Sequence, residues 1–356
     1  MRLGMNVGSA RRGKLIGLGE EGRHASEVNL DLPLIQEAER LGFYVYWSAE
    51  SYGADAMVPL AWVGAHTSKI HLGTAIMQIP GRTPANAAMA AMALDDLSGH
   101  RFIMGLGVSG PQVVEGWHGV PFGKPVRRTR EYVTILRKLF ARAEPLTFEG
   151  TYYRIPYRGD DATGLGKPLK SIMHPRRDLP IYLAAMGPLN VRLAGELADG
   201  LLPTIFSPDN FDVVAKPLEE GFARAGNGKG WGDFDLAPIV PVVLGDDVKA
   251  CQDQVRARIA FSIGVYGARE RNFYNDVVVR YGYGEAAQRV QALYLDGKQK
   301  EAIAAVPDAL VDEVALCGPA ERIKDRLSRY AALPIKTLNL RTPTPEVMRL
   351  MAELVL

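Results

Sequence analysis

FYVYWSAESYGADAMVPLAWVGAHTSKIHLGTAIMQIPGRTP, residues 43–84, decides the fold. Phe43–Ala49 is an aromatic and β-branched run of strand length. Ala56–Thr67 is an apolar stretch long enough for a helix, and Ile70–Met77 is a second strand. Pro84 then opens another helix. The same strand-then-helix unit continues in both directions. LGMNV at 3–7 precedes a helix over Asp31–Leu41, and Phe102–Val108 precedes Val126–Ala141. Leu179–Ala185 leads to Asn190–Ala198, Leu201–Ile205 to Phe211–Ala225, and Leu236–Leu244 to a helix after Asp246. Ile335–Leu340 and Glu346–Val355 complete the series. The strands read as apolar runs rather than alternations, as parallel strands covered on both faces do. The pattern predicts an α/β chain of eight such units, a closed (β/α)8 barrel spanning residues 1–356 as one domain. A barrel of this kind carries its chemistry at the C-terminal ends of the strands.

Two stretches interrupt the rhythm. Residues 147–178 are rich in Gly, Pro, aromatics and charge, which predicts a short hairpin and loop after the fourth helix. Residues 264–316 separate the seventh and eighth strands and contain helical patterns over Glu285–Leu295 and Lys298–Ala305. Insertions at these places can roof the mouth of a barrel.

Composition excludes several functions. Apolar residues make up 47% and charged residues 23% of the chain, with a formal net charge of +2. The closest approaches to a basic run, Arg11-Arg12 and Arg127-Arg128, are too short to indicate a polyanion, so no nucleic-acid partner is expected. MRLGMNVGSARRGK lacks the apolar core of a signal peptide, and no window offers an uninterrupted membrane-spanning run. A cytoplasmic protein is the expectation. Cys251 and Cys317 have no metal spacing and read as small buried filler, and the six histidines form no HxH or HExxH pattern. No metal is expected.

Four motifs lie just past predicted strands. GLGVSG at 105–110 matches the glycine string of a dinucleotide fold, but the Pro- and Gly-rich PQVVEGWHGVPFGKP that follows forbids the immediate long helix such a fold needs. A glycine-rich turn there still lets main-chain N–H groups approach an anion or a flat ring. AAMGPLN at 184–190 joins a strand to a helix opening on Pro188, either a plain turn or an anion site at the helix start. YWSAESYGAD at 46–55 places Glu50 and Ser51 past the second strand, where the acid is either a proton donor or hydrogen-bond partner, or a capping carboxylate. GTAIMQIPGRTP at 73–84 ends the third strand with residues small enough for a flat ligand to lie against. EGWHG at 115–119 sets Glu115, Trp117 and His118 in one loop.

Taken together, WSAESYG, LGTAIMQIPGRTP, LSGHRFIMGLGVSGP, EGWHGVPF and AAMGP with ELADG at 195–200 resemble the luciferase-like superfamily. More closely, they resemble its deazaflavin (coenzyme F420)-dependent oxidoreductases, and VPDALVDEVALCGPAERIKDRL near the C-terminus is similar to that branch. The resemblance implies a TIM barrel, a homodimer, and a deazaflavin lying at the C-terminal mouth against a bulge in the third strand. Carried onto this chain, the bulge with its non-prolyl cis peptide falls at Ala75–Ile76, next to Thr74. The phosphate contacts fall in the Gly107–Gly110 turn, Ser109 included, and at Met186, Gly187 and Pro188, with Thr74, Ala75, Ile76 and Ala185 as further cofactor contacts. Sugar-phosphate and alcohol dehydrogenases of the branch carry Asp-His where this chain has Glu50-Ser51, and the former carry a Glu where this chain has Pro111. Those substrates are therefore disfavoured. Glu50 remains a cofactor contact and, with Ser51, a catalytic candidate; Glu115 and His118 are the alternatives for the proton. Two further readings stand beside the F420 oxidoreductase: an FMN-dependent monooxygenase of the same superfamily, and a barrel that carries the deazaflavin without catalysis. Tyr152, Tyr153, Tyr266, Phe273 and Tyr274 in the insertions suggest an apolar, aromatic-walled substrate pocket, and packing of the insertions explains them equally well.

Overall fold

The computed structural model describes residues 1–6, 28, 30–265 and 272–356. Val7, Arg11, Arg12 and Tyr266 lie outside these. Strand β1 (Arg2–Asn6) leads to helix α1 (Leu32–Arg40), whose start is capped by the Asp31 carboxylate accepting from Leu34 N–H. Then follow β2 (Val45–Ser48), α2 (Met57–Ala65), β3 (His71–Thr74) and the two-residue β4 (Met77–Gln78). Thr83 caps α3 (Pro84–Leu97), which opens on proline and leads to β5 (Phe102–Gly107). A short α4 (Pro111–Gly116) precedes the long α5 (Pro125–Ala141). The 147–178 stretch holds an antiparallel hairpin, β6 (Phe148–Glu149) with β7 (Arg154–Ile155).

The second half runs β8 (Ile181–Leu183), α6 (Pro188–Leu197), β9 (Gly200–Leu201), α7 (Asp212–Ala225), β10 (Asp235–Leu236) and β11 (Ile239–Leu244). Next come α8 (Val248–Val265), α9 (Phe273–Arg280), α10 (Gly284–Leu295), α11 (Gln299–Ala304) and α12 (Asp308–Val314). The chain ends with β12 (Leu316–Gly318), α13 (Ala320–Ala331), β13 (Thr337–Arg341) and α14 (Pro345–Val355). Several elements lie outside the named expectations, among them α4, α9, α12, α13, and β12, which pairs in parallel with the outer half of β11.

The main sheet is parallel and ordered β10-β9-β8-β5-β3-β2-β1-β13-β11-β12, with β4 beside β5. It curls, because isolated parallel bridges Thr204–Ile239 and Leu236–Ile335 bring its two ends together. The architecture is TIM-barrel-like. Helices cover the outer face over a core that includes Leu60, Met104, Tyr132 and Leu218. Inside the curl sit Val45, Trp47, Ile103, Tyr182, Leu202 and Ala237. Trp47 fits because Gly73 offers no side chain: a Cβ there would lie 2.2 Å from Trp47 Cε3. The Trp47 Nε1–H donates to Asn339 Oδ1 at 2.6 Å, and Asn339 Nδ2 donates to Ala237 O, so the polar atoms of the filling are paired. The 264–316 stretch builds a separate apolar cluster with α8, centred on Ile259, Ile263, Val278, Val290 and Leu310.

Candidate active site

The C-terminal ends of the strands carry the candidate residues. Past β3 the chain turns through a cis peptide between Ala75 and Ile76 before β4, at the bulge implied by the resemblance. The bulge is held by main chain: Ala75 N–H donates to Ser48 O, and Glu50 N–H donates to Ile76 O. Thr74 is wholly buried, and its hydroxyl accepts from Gly105 N–H and donates to Gly105 O. It stitches β3 to β5 across the gap and leaves no side-chain atom for a ligand. Ala75 and Ile76 are half-buried and pack with Ala184 against the interior cluster. A Cβ on Gly107 would lie 2.8 Å from Ile76 Cγ1, so the absence of one lets the bulge seat against β5. Small residues therefore make up this side of the mouth.

Glu50 is not a free acid. Its Oε2 accepts from Gln78 N–H at 2.8 Å and Arg82 Nη1 at 2.9 Å, and its Oε1 accepts from Arg82 Nη2 at 2.7 Å. The Glu50 side chain is 10% exposed and that of Arg82 16%. The hydrogen bond from Arg82 to Glu50 is the leading cause that raises the guanidinium above its ordinary pKa, and Asp55 adds to it from the second side. Ser51 supplies its carbonyl to Gln78 Nε2 at 2.8 Å.

Gln78 is buried and connects this clamp to the loop beyond α4. Its Oε1 lies 2.6 Å from His118 Nε2. Because the amide nitrogen of Gln78 is spent on Ser51 O, its oxygen faces the ring, so Nε2 of His118 carries the hydrogen and Nδ1 is the acceptor. Gly81 backs the same ring; a Cβ there would lie 3.2 Å from its Cε1. Glu115, at the end of α4, is exposed and closes the loop by accepting from Phe122 N–H at 3.0 Å.

The two turns assigned to phosphate lie side by side past β5 and β8. Ser109 sits at φ 58° and Gly110 caps α4, its carbonyl accepting from Val113 and Val114. Ala185 is buried, Gly187 caps α6, and Pro188 opens that helix. Met186 O accepts from Arg280 Nη2 at 2.8 Å, which ties the turn to α9 of the insertion. Burial lowers the pKa of Arg280. Opposite these turns, Arg341 at the end of β13 donates to the Thr204 hydroxyl at 3.0 Å, beside the buried Asn6. Sequence reasoning missed Gln78, Arg82, Arg280 and Arg341. Gln78 carried a signal, a polar residue inside the apolar run IMQIP; Arg280 carried none, since only folding brings the insertion to Met186.

Tyr152 and Tyr153 belong to the hairpin and not to an evident pocket wall. Tyr152 lies under the Arg128 guanidinium, and Tyr153 packs edge-on to Tyr132. Tyr274 packs against the insertion cluster and Phe273 begins α9. Among the described residues there is no cluster of three or more His, Cys, Asp or Glu able to hold a metal, and no helix is long and apolar enough to cross a membrane.

The TIM-barrel-like sheet brings a third-strand bulge, small residues beside it and two main-chain turns together at one mouth. Residues 18–337 match the luciferase-like monooxygenase family, and the chain belongs to it. It is 43% identical over 323 residues, 90% of this chain and 93% of the relative, to a Mycobacterium tuberculosis protein assigned by name to the coenzyme F420-dependent oxidoreductases. The coenzyme F420-dependent tetrahydromethanopterin reductase of Methanopyrus kandleri superposes with a TM-score of 0.77 at 22% identity, covering 99% of this chain and 98% of that one. An F420-dependent secondary alcohol dehydrogenase, solved with an F420-acetone adduct, gives a TM-score of 0.70 at 19% identity over 99% and 98% of the two chains.

Proposed function

We propose that the chain is a coenzyme F420-dependent oxidoreductase that moves a hydride between the deazaflavin and a small organic substrate. The observation that carries the choice of cofactor is the 43% identity, over nine-tenths of both chains, to a relative named for F420. The mouth fits such a group: Ala75, Ile76, Gly107 and Ala184 offer a low, apolar surface for a ring, and buried polar atoms without a partner among the described residues stand beside Gly107 and Ala185. We read the eight parallel segments as a closed (β/α)8 barrel with insertions at about 147–178 and 264–316, and the protein as a cytoplasmic homodimer. Val58 and Trp62 on α2 and Met89 on α3 support a dimer, since each is more than half exposed on neighbouring helices.

When bound, the deazaflavin supplies two-electron hydride exchange at its C5 carbon. The chain's own part is to seat, orient and handle the proton. Gly107, Ser109 and Gly110 with Ala185, Met186, Gly187 and Pro188 take the phosphorylated end. Ala75 N–H is given to Ser48 O, so the other main-chain N–H groups of the bulge and those of the 107–110 turn are the ones that would stabilise charge near N1 of the ring. Glu50 is assigned a positioning role: clamped by Arg82, it fixes Gln78 and through it His118. His118 is assigned the proton, with Nδ1 as its accepting atom and Ser51 nearby; Glu115 holds the loop.

The test is direct. Purified protein titrated with F420 and with FMN will bind F420 at micromolar concentrations and FMN far more weakly. Tight FMN binding without F420 binding gives the protein to the monooxygenase reading. Tight F420 binding with no reduction across a broad panel of hydride acceptors gives it to the carrier reading.

A further inference from the structure

The end of the barrel away from the mouth carries an apolar and basic segment that the proposed site does not use. Residues 165–177, LGKPLKSIMHPRR, follow the β6–β7 hairpin and lead into the start of β8. Their main chain is pinned at the C-terminal ends of α3 and α5. Leu146 N–H donates to Leu169 O at 2.8 Å, and Arg142 Nε donates to Ser171 O at 2.8 Å. Arg176 Nη2 donates to Asp95 Oδ1 at 2.8 Å. Met173 turns inward and packs on the main core. Its neighbours turn outward: Leu165 is 86% exposed, Leu169 68% and Ile172 94%. Leu97, two residues past Asp95 at the end of α3, is exposed as well. Single exposed aliphatic residues are ordinary, but three within eight residues of a pinned segment form a patch that wants an explanation.

The charge around these side chains has one sign. Between Asp161 and Asp178 the chain has Lys167, Lys170, Arg176 and Arg177 and no acid. Arg176 is spent on Asp95. Lys167, Lys170 and Arg177 are exposed and pair with no carboxylate among the described residues; Lys170 Nζ donates to a carbonyl, Ala143 O, at 3.0 Å. Of the flanking acids, Asp161 accepts from Tyr157 Oη–H at 2.6 Å, and Glu144 faces Lys138 at 3.8 Å. Aliphatic tips set among unpaired cations fit a surface that is anionic on top and apolar beneath, which is the interface of an anionic lipid bilayer. A protein partner fits less well, because protein interfaces favour aromatic anchors and disfavour lysine, and the segment has no Phe, Tyr or Trp. We propose that residues 165–177 dock the protein on an anionic phospholipid surface: Leu165, Leu169 and Ile172 enter the interface, and Lys167, Lys170 and Arg177 meet the headgroups. Docking of this kind needs no spanning helix, and among the described residues there is none. It leaves the mouth open to water and is independent of which cofactor the mouth binds.

The full chain is co-sedimented with vesicles of phosphatidylglycerol and phosphatidylcholine in equal parts, and with vesicles of phosphatidylcholine alone. Docking predicts partition onto the first at least about tenfold stronger than onto the second, and weaker as salt rises. One basic residue at such a surface is worth roughly fivefold, so Lys167→Gln with Lys170→Gln loses about twenty-five-fold on the anionic vesicles. Leu169→Ser with Ile172→Ser loses at least about tenfold there, from apolar surface no longer buried. All four side chains face water, so both double variants keep the wild-type melting temperature; a double variant that melts early is replaced by its two single variants under the same criterion. No binding to anionic vesicles, equal binding to neutral ones, or wild-type binding by either variant overturns the proposal. So does a fall in sedimentation mass of the lipid-free protein on Leu169→Ser with Ile172→Ser, which gives the segment to a second copy of the chain.

Discussion

Arg82→Met is the sharpest perturbation of the site. The guanidinium makes two hydrogen bonds to Glu50, at 2.7 and 2.9 Å, from a side chain 16% exposed to one 10% exposed. Removing it leaves the Glu50 carboxylate with Gln78 N–H as its remaining hydrogen-bond donor among the described residues. Breaking a buried pair from one side costs about 3–5 kcal/mol, because the other charge stays desolvated and alone. The Asp55 arm, on a side chain 37% exposed, adds less than about 1 kcal/mol. The expected loss is therefore about 3–4 kcal/mol, a large share of the roughly 5–15 kcal/mol that holds a typical domain folded. Glu50→Gln keeps an acceptor for Gln78 N–H, leaves Arg82 on Asp55, and costs about 1–2 kcal/mol. In the double variant no carboxylate is stranded, so the losses do not add and the coupling is about 2–3 kcal/mol. Urea denaturation of the four proteins measures the cycle. A coupling below about 0.5 kcal/mol refutes the clamp. So does a stable, F420-binding Glu50→Gln protein whose turnover has collapsed by more than about a thousandfold, a loss at the scale of a lost general acid rather than of a displaced support.

Three further outcomes follow from the same geometry. Gly107→Ala places a Cβ 2.8 Å from Ile76 Cγ1 and pushes that side chain toward the mouth; stability falls by about 1–3 kcal/mol and ring affinity by at least about tenfold, and unchanged fluorescence titration of the cofactor removes the platform reading. His118→Gln retains a donor to Gln78 and keeps cofactor affinity, while turnover of any substrate falls by about a hundredfold or more, the scale of a lost general acid or base; unchanged turnover places the proton elsewhere. Glu131 is buried, which pushes its pKa up, but N–H bonds from Thr151, Tyr152 and Tyr153 outweigh burial and hold it below the usual carboxylate value. A lowered folded-state pKa means that the unfolded chain takes the proton first as pH falls, so this stabilisation is present above the unfolded value of about 4.3 and fades as pH drops through the folded one. Urea midpoints of wild type and Glu131→Gln should converge over that range; a gap independent of pH denies the carboxylate its part in pinning the hairpin.

The legible part of this molecule is what repeats. Strands buried on both faces announce themselves as apolar runs, and prolines such as Pro84 and Pro188 mark where helices open. The parallel, curled, barrel-like sheet could therefore be read from residues one after another along the chain. The third-strand bulge was legible through resemblance and not through pattern: GTAIMQIPGRTP is one of the stretches that resemble the luciferase-like superfamily, which implied a bulge at Ala75–Ile76, where the chain turns through a cis peptide. What stayed hidden is what depends on partners distant in sequence. Glu50 reads as an available acid until folding delivers Arg82, thirty-two positions later, to its carboxylate. His118 reads as a lone loop histidine until Gln78, forty positions earlier, fixes its tautomer. Arg280 and Met186 are separated by 94 positions and by the boundary of an insertion. A carboxylate's chemistry is set by its solvation and its neighbours, and neither is a property of the residue type. The cross-chain hydrogen bonds place the acid at position 50 on Arg82 and Gln78 and the imidazole at 118 on Gln78, and it is on these contacts that the proposed supporting role of the first and proton-handling role of the second rest.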